Sequence, residues 1–168
     1  RPGDCLLVVG AGDVERVVML SPDKDLAQLV SGRRVVGYDR RKGAFIDEEG
    51  VWEKFGVAPT SIPDYLALVG DTSDNIPGVP KVGAKTAAKW LNEYGSVDEI
   101  IANADKIKGK VGESLRASLE QLKLSRELTV IRTDVELDES ADGLTPVDPD
   151  VPALRDLYAH FELRALLK

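Results

Sequence analysis

Two pairs of aspartates carry most of the chemistry available to this sequence. Asp71 and Asp74 stand three apart in Gly70-Asp71-Thr72-Ser73-Asp74-Asn75, directly after the apolar run Tyr65 to Val69. Read as a helical turn, that spacing sets their Cβ atoms about 5–6 Å apart, so the two anions repel unless a cation lies between them. Hard oxygen ligands of this kind suit Mg²⁺ or Mn²⁺, which reach phosphate substrates through one or two protein carboxylates plus water. The second pair, Asp23 and Asp25, lies in Ser21-Pro22-Asp23-Lys24-Asp25-Leu26, just past Val17-Val18-Met19-Leu20. An extended D-x-D directs both side chains to one side, and open α/β sheets bind ligands beyond the carboxyl ends of their strands. Each pair has a plainer reading. Asp71 and Asp74 could be caps or solvated turn residues, and Asp23 and Asp25 could simply cap a helix.

Cations follow the Asp71–Asp74 pair. The segment Ile76 to Gly83 holds Pro77, Gly78, Pro80 and Gly83. The glycines permit positive φ and close backbone approach, while the prolines stiffen the path. A helix opening at Gly83 would aim free N–H groups at a phosphate. Lys81, Lys85 and Lys89, with no acid among them, give Ile76 to Asn92 a charge of +3 in a chain whose net charge is −7. A carboxylate pair leading into such a turn is the layout expected of a nucleic-acid hydrolase.

Composition narrows the alternatives. With 168 residues, one domain is expected, with at most a small satellite. The single Cys5 leaves no disulfide framework or cysteine metal cluster, and points to a reducing cytosol. The lone His160 disfavours a histidine-based zinc site or triad, so hydrolysis would rest on carboxylates. No window approaches the ~18 apolar residues of a membrane span, and no membrane partner is expected. In Gly10-Ala11-Gly12-Asp13-Val14-Glu15, Glu15 stands where a dinucleotide loop needs its last glycine. The net acidity is segregated: Asp134 to Glu162 carries nine acids against one base, while residues 33–42 are basic.

The elements that must position these residues read as follows. Val17 to Leu20 and Arg33 to Tyr38 are strands, with a helix starting at Leu26 between them. Asp39-Arg40-Arg41-Lys42-Gly43 is a basic turn before the returning strand Ala44-Phe45-Ile46. Asp47 caps a helix stopped by Gly56, and Ser61-Ile62-Pro63-Asp64 has capping-box spacing ahead of the apolar helix. Ser96 to Glu99 is a second capping box. Val111, Leu115, Leu119 and Leu122 mark one helix to about Arg126, with a core-facing stripe. Asp138 to Asp150 is an acidic loop, and Val151 to Leu167 a last amphipathic helix.

Gly70 to Gly78, followed by Gly83-Ala84-Lys85-Thr86-Ala87, resembles the 5′-nuclease family, which includes the 5′→3′ exonuclease domain of bacterial DNA polymerase I and the flap endonucleases. Ser21 to Leu26 resembles the family's post-strand motif, and the likeness runs from about Asp13 to Leu137. The resemblance implies an α/β fold: a partial parallel sheet followed by a helix–three-turn–helix (helix–hairpin–helix) DNA-binding subdomain. Residues 1–60 would be a remnant of the nuclease core, 61–137 the DNA-binding subdomain, and 138–168 an acidic loop and C-terminal helix. Asp23, Asp25, Asp71 and Asp74 would be the catalytic metal ligands, within a two-metal Mg²⁺ or Mn²⁺ site. Gly78, Val79, Lys81, Val82, Gly83, Lys85 and Thr86 would hold duplex phosphates, with a monovalent cation at the hairpin. The expected substrate is duplex DNA with a 5′ end or flap, bound without regard to sequence by a monomer. The family's leading aspartates, its Glu-Ala-Asp-Asp box and its basic arch should all precede residue 13; Asp4, Asp13 and Glu15 do not reproduce that box. With Arg at position 1, this leads to the expectation of a cut piece of the nuclease, crippled alone. A second reading is a non-catalytic, structure-selective duplex-DNA-binding module, and a third is a soluble α/β domain of unrelated function.

Overall fold

A computed structural model describes residues 5–7, 16–138 and 148–167. The stretch Gly10 to Glu15, Asp4 and positions 139–147 of the acidic loop lie outside the described residues. The chain divides into two compact units, 1–135 and 136–168.

In the first unit, the apolar run Val17–Leu20 (β2) pairs in parallel with Val35–Asp39 (β3), Val18 opposite Val36. Cys5–Leu7 (β1) adds to β2 and Ala44–Ile46 (β4) adds to β3, both antiparallel, giving the order β1-β2-β3-β4. The parallel part of the sheet is thus a single strand pair between antiparallel edges. The β3–β4 turn is fixed by Asp39, whose Oδ1 accepts the N–H groups of Arg41 and Lys42 at 2.9 and 3.2 Å.

Between β2 and β3 the chain forms a short 3-10 helix, Asp25–Leu29, rather than the start of an α-helix. Nor is Asp23-Lys24-Asp25 extended. Lys24 is helical at φ −73°, ψ −21°, and Asp23 Oδ1 accepts the Asp25 N–H at 3.0 Å. This local side-chain bond offers the backbone a turn in place of a strand.

Glu48–Phe55 (α1) begins at Asp47, whose carboxylate accepts the Gly50 N–H, and ends at Gly56 in the left-handed region at φ 72°. Ile62–Val69 (α2) is the central helix, with Ile62 through Leu68 all buried. The expected capping box at Ser61 does not form. Ser61 makes no cap bond, and Asp64 turns inward, accepting the Val97 N–H at 3.0 Å and the Arg126 Nε–H at 2.9 Å. The remaining helices of this unit are Ala84–Tyr94 (α3), Val97–Ala102 (α4), Gly109–Ala117 (α5) and Leu119–Thr129 (α6). Ser96 caps α4 through the Glu99 N–H at 3.2 Å. The single helix expected from Val111 to Arg126 is broken at Ser118, where ψ rises to 11°. Leu115 and Leu122 are buried on either side of that break, in the same core as Ile62, Leu66, Leu68 and Ile100.

The second unit holds Val151–His160 (α7), capped by Asp150 through the Ala153 N–H at 3.0 Å, and a 3-10 turn, Arg164–Leu166. The helix stops well short of Leu167, with Glu162 in the left-handed region at φ 54°.

Candidate metal centre and phosphate-binding hairpin

The main chain leaves α2 through Gly70 at φ 85°. Gly70–Asp71 (β5) then pairs antiparallel with Ile76–Pro77 (β6). Asp71 and Asp74 therefore sit on a tight β-loop and not on a helical turn, which corrects the sequence expectation. Gly70 terminates α2 early because the loop must fold straight back. A Cβ on Gly78 would lie 2.3 Å from the Val69 carbonyl carbon and oxygen, and one on Gly70 would lie 2.5 Å from the Gly78 nitrogen. Gly78 is thus required for close approach, not for positive φ. Gly83 is ordinary at φ −104°, and the left-handed positions are Asn75 and Lys81, at φ 57° and 69°. On the far side, Gln121 and Ser125 of α6 donate to the Pro77 carbonyl at 3.1 and 3.0 Å, clamping the loop to the helical core.

This loop brings Asp71 and Asp74 to Asp25. One carboxylate oxygen from each of the three lies within 4.8 Å of the others. Asp25 is held by Gln28, whose Nε2 donates to the Asp25 and Thr129 carbonyls at 3.0 Å each and whose Oε1 accepts the Ile131 N–H at 3.0 Å. That side chain ties the post-strand segment to the end of α6. Asp23 stands beside the three: it caps Asp25, and its charge acts on the Asp25 carboxyl.

Asp25 is pushed up to about 6, first by burial and then by the charges of Asp23, Asp74 and Asp71. Its Oδ1 is buried and has no hydrogen-bond partner. Asp71, only 2% exposed, behaves oppositely. Burial pushes its carboxyl up, but hydrogen bonds from Lys24 and the Ser73 N–H, the Lys24 charge and a bond with Asp74 bring it below the ordinary range. Lys24 Nζ lies 2.9 Å from Asp71 Oδ2, a partner that sequence reasoning missed although the D-K-D spacing put a cation between two acids. A buried oxygen without a donor, in a set of carboxylates only, fits a hard divalent cation.

Beyond the loop, Lys81, Gly83 and Lys85 are exposed, Gly78 and Thr86 are half-buried, and Val79 and Val82 are core residues. The Val79 and Val82 N–H groups are committed internally, to the Leu68 and Val79 carbonyls at 2.9 and 3.0 Å. These two valines anchor the turn, while α3 begins at Gly83 with no side-chain cap. Lys85 and Lys89 edge an open cleft of about 490 Å³ that Lys108 also lines.

Residues 57–152 match the family described as 5′-3′ exonuclease, C-terminal SAM fold. The chain belongs to this 5′-3′ exonuclease family. It is 42% identical over 154 residues to DNA polymerase I of Mycobacterium tuberculosis, covering 90% of this chain and 17% of that protein. It is also 42% identical over 153 residues to the 5′-3′ exonuclease of Aquifex aeolicus, covering 91% of this chain and 52% of the relative. The chain thus spans about half of that exonuclease and a small part of the polymerase. Among solved structures it is similar to T5 5′-exonuclease with bound zinc ions, at TM-score 0.63 and 27% identity, over 68% of this chain and 43% of that one. It is similar to the same degree of fold, TM-score 0.63 at 26% identity, to a T5 flap endonuclease complex with DNA and metal ions, again over 68% of this chain and 43% of that one. The exonuclease family consists of hydrolases, and the mixed α/β fold with its helical part is the fold of these nucleases.

Proposed function

We propose that these residues form the C-terminal part of a divalent-metal-dependent 5′→3′ exonuclease or flap endonuclease acting on DNA phosphodiesters. The observation that carries this reading is the meeting of Asp25, Asp71 and Asp74, one carboxylate oxygen of each within 4.8 Å of the others, from segments far apart in the chain, with Asp25 keeping a buried oxygen that lacks a donor. These three would hold a divalent ion, Mg²⁺ or Mn²⁺, with Asp23 as an outer partner acting through water. An ion bound there neutralises phosphate charge and lowers the pKa of a coordinated water.

The protein's own contribution is placement. The β-loop carries two of the acids, and the 3-10 turn carries the third. Lys81, Lys85 and the uncapped N-terminus of α3 would grip backbone phosphates of a duplex bearing a 5′ end or flap. Contacts of that kind carry no base code, so binding follows shape and charge. The same turn is the place for the monovalent cation expected at the hairpin. A bacterial cytosol and a monomeric state complete the reading. Among the described residues these carboxylates would supply only part of a two-metal site, so the 168 residues by themselves would bind duplex DNA weakly and salt-sensitively and cleave it feebly or not at all.

A Mn²⁺-soaked crystal tests this directly. An anomalous peak within coordination distance of Asp25, Asp71 and Asp74 supports the proposal. Mn²⁺ found only at unrelated surface carboxylates sinks it. Duplex binding without such a peak would favour the non-catalytic module.

A further inference from the structure

Lys24 is placed between two candidate ligands in the chain and reaches a third. Both oxygens of Asp71 are engaged. Oδ1 accepts the Ser73 N–H at 2.9 Å, and Oδ2 meets Lys24 Nζ at 2.9 Å. The first bond lies within the turn itself, between residues two apart. The second is made by a flexible four-carbon side chain that is 36% exposed, so its ammonium has a path to water. The lysine backbone has no such freedom, fixed in helical geometry beside the Asp23–Asp25 bond. An ion drawing on Asp71 Oδ2 would stand only a few ångströms from the ammonium, where two cations repel strongly in a partly buried site.

We propose that Lys24 is a displaceable counter-cation: it neutralises Asp71 in the metal-free protein and surrenders Asp71 Oδ2 when a divalent ion binds. The proposal rests on the metal reading above. Lys24 then does two things of opposite sign. It keeps the acid cluster folded when no metal is present, and it weakens metal affinity because its ion pair must be broken first. The site is thereby preformed at a cost in binding strength.

The test is calorimetric titration of Mn²⁺ into the wild-type chain, Lys24→Met and Lys24→Arg, with thermal melts in EDTA and in saturating Mn²⁺. Lys24→Met is expected to bind Mn²⁺ about tenfold more tightly, which is a modest change in binding free energy. In EDTA it should melt about 2–4 °C lower, and the gap should close when Mn²⁺ saturates both proteins. Lys24→Arg keeps a cation and should titrate like wild type. Lys24→Gln, which retains a donor for Asp71, replaces Lys24→Met if circular dichroism shows the latter unfolded. If wild type binds Mn²⁺ and Lys24→Met binds equally or more weakly, the counter-cation role is overturned while the metal site stands. If neither binds Mn²⁺ at millimolar concentration, the metal site fails and this role fails with it.

Discussion

Asp25 and Asp71 show how one cluster assigns opposite roles to identical side chains. Asp71 is deeply buried yet stabilised as an anion by Lys24 and a backbone N–H; Asp25 is less buried and has neighbours of its own sign. The consequence for stability follows from linkage. Asp25 has a folded pKa of about 6, raised from 3.8, so the folded state binds the extra proton between those values. Stability from this group is full below its unfolded pKa and is lost as pH rises through about 6. Above that, the ionised carboxylate strains the metal-free fold. Asp25→Asn should therefore raise the melting temperature in EDTA at pH 8 by about 2–4 °C, for a solvent-screened effect of about 1 kcal/mol. The gain should shrink toward pH 4. In saturating Mn²⁺ the order should reverse, because only wild type has the third anionic ligand. A differential scanning fluorimetry series over pH, with and without Mn²⁺, reads all three effects. No gain at pH 8 would contradict the strained-carboxylate account.

At the scale of elements, the site depends on how tightly the β-loop folds back on α2. Gly78 lies against the Val69 carbonyl, so Gly78→Ala forces backbone to move rather than a flexible side chain. A loss of about 3 kcal/mol is expected, at the upper end for overpacking, with Mn²⁺ binding lost in the same variant. Urea unfolding and a Mn²⁺ titration measure the two, and an unperturbed midpoint would show the loop to be softer than its contacts indicate. Asp64 is the second structural pivot, joining α2 to α4 and α6 through Val97 and Arg126. Asp64→Ala leaves a buried N–H without an acceptor and should lower stability by about 2 kcal/mol; Asp64→Asn, which keeps an acceptor, should cost less. Equal denaturation midpoints for the two would count against this role. These elements also show what the sequence made legible. Caps written in adjacent residues, Asp47 and Ser96, were readable because their bonds span three residues. Ser61 with Asp64 had the same spacing, but Asp64 answered to partners 33 and 62 residues away. The apolar run ending at Val69 suggested a helix that continued through Asp71. What ends it is the contact between Gly70 and Gly78, which only the folded chain reveals. The meeting of Asp25 with Asp71 and Asp74 is legible only through family resemblance, since no local pattern links residues that far apart.

At the scale of the whole molecule, a net charge of −7 argues against general attraction to DNA, so the proposed binding would have to be local. The hairpin would supply it. Lys81, Lys85 and Lys89 are exposed on one turn and the helix that follows, and no acid lies between Ile76 and Asn92. If about three phosphates are neutralised there, log K for a duplex should fall with log salt at a slope of about −3. Lys85→Ala should reduce that slope by about one and weaken every duplex alike, whatever its sequence. Asp71→Ala and Asp74→Ala should do the reverse. Each removes an anion, so duplex binding in EDTA should hold steady or strengthen slightly, while Mn²⁺-dependent hydrolysis of a 5′-flapped substrate by a protein carrying this segment should fall about a hundredfold or more, as expected when charge stabilisation of a transition state is lost. Fluorescence anisotropy over a salt series and single-turnover cleavage measure the two quantities on the same variants. On the proposed reading the two groups of residues are separable on physical grounds: the lysines would act on the phosphate backbone in ground state and transition state alike, whereas the acids would matter only where charge develops. If Lys85→Ala and Asp71→Ala impaired binding and cleavage in equal proportion, the division between gripping hairpin and reacting centre would have to be abandoned.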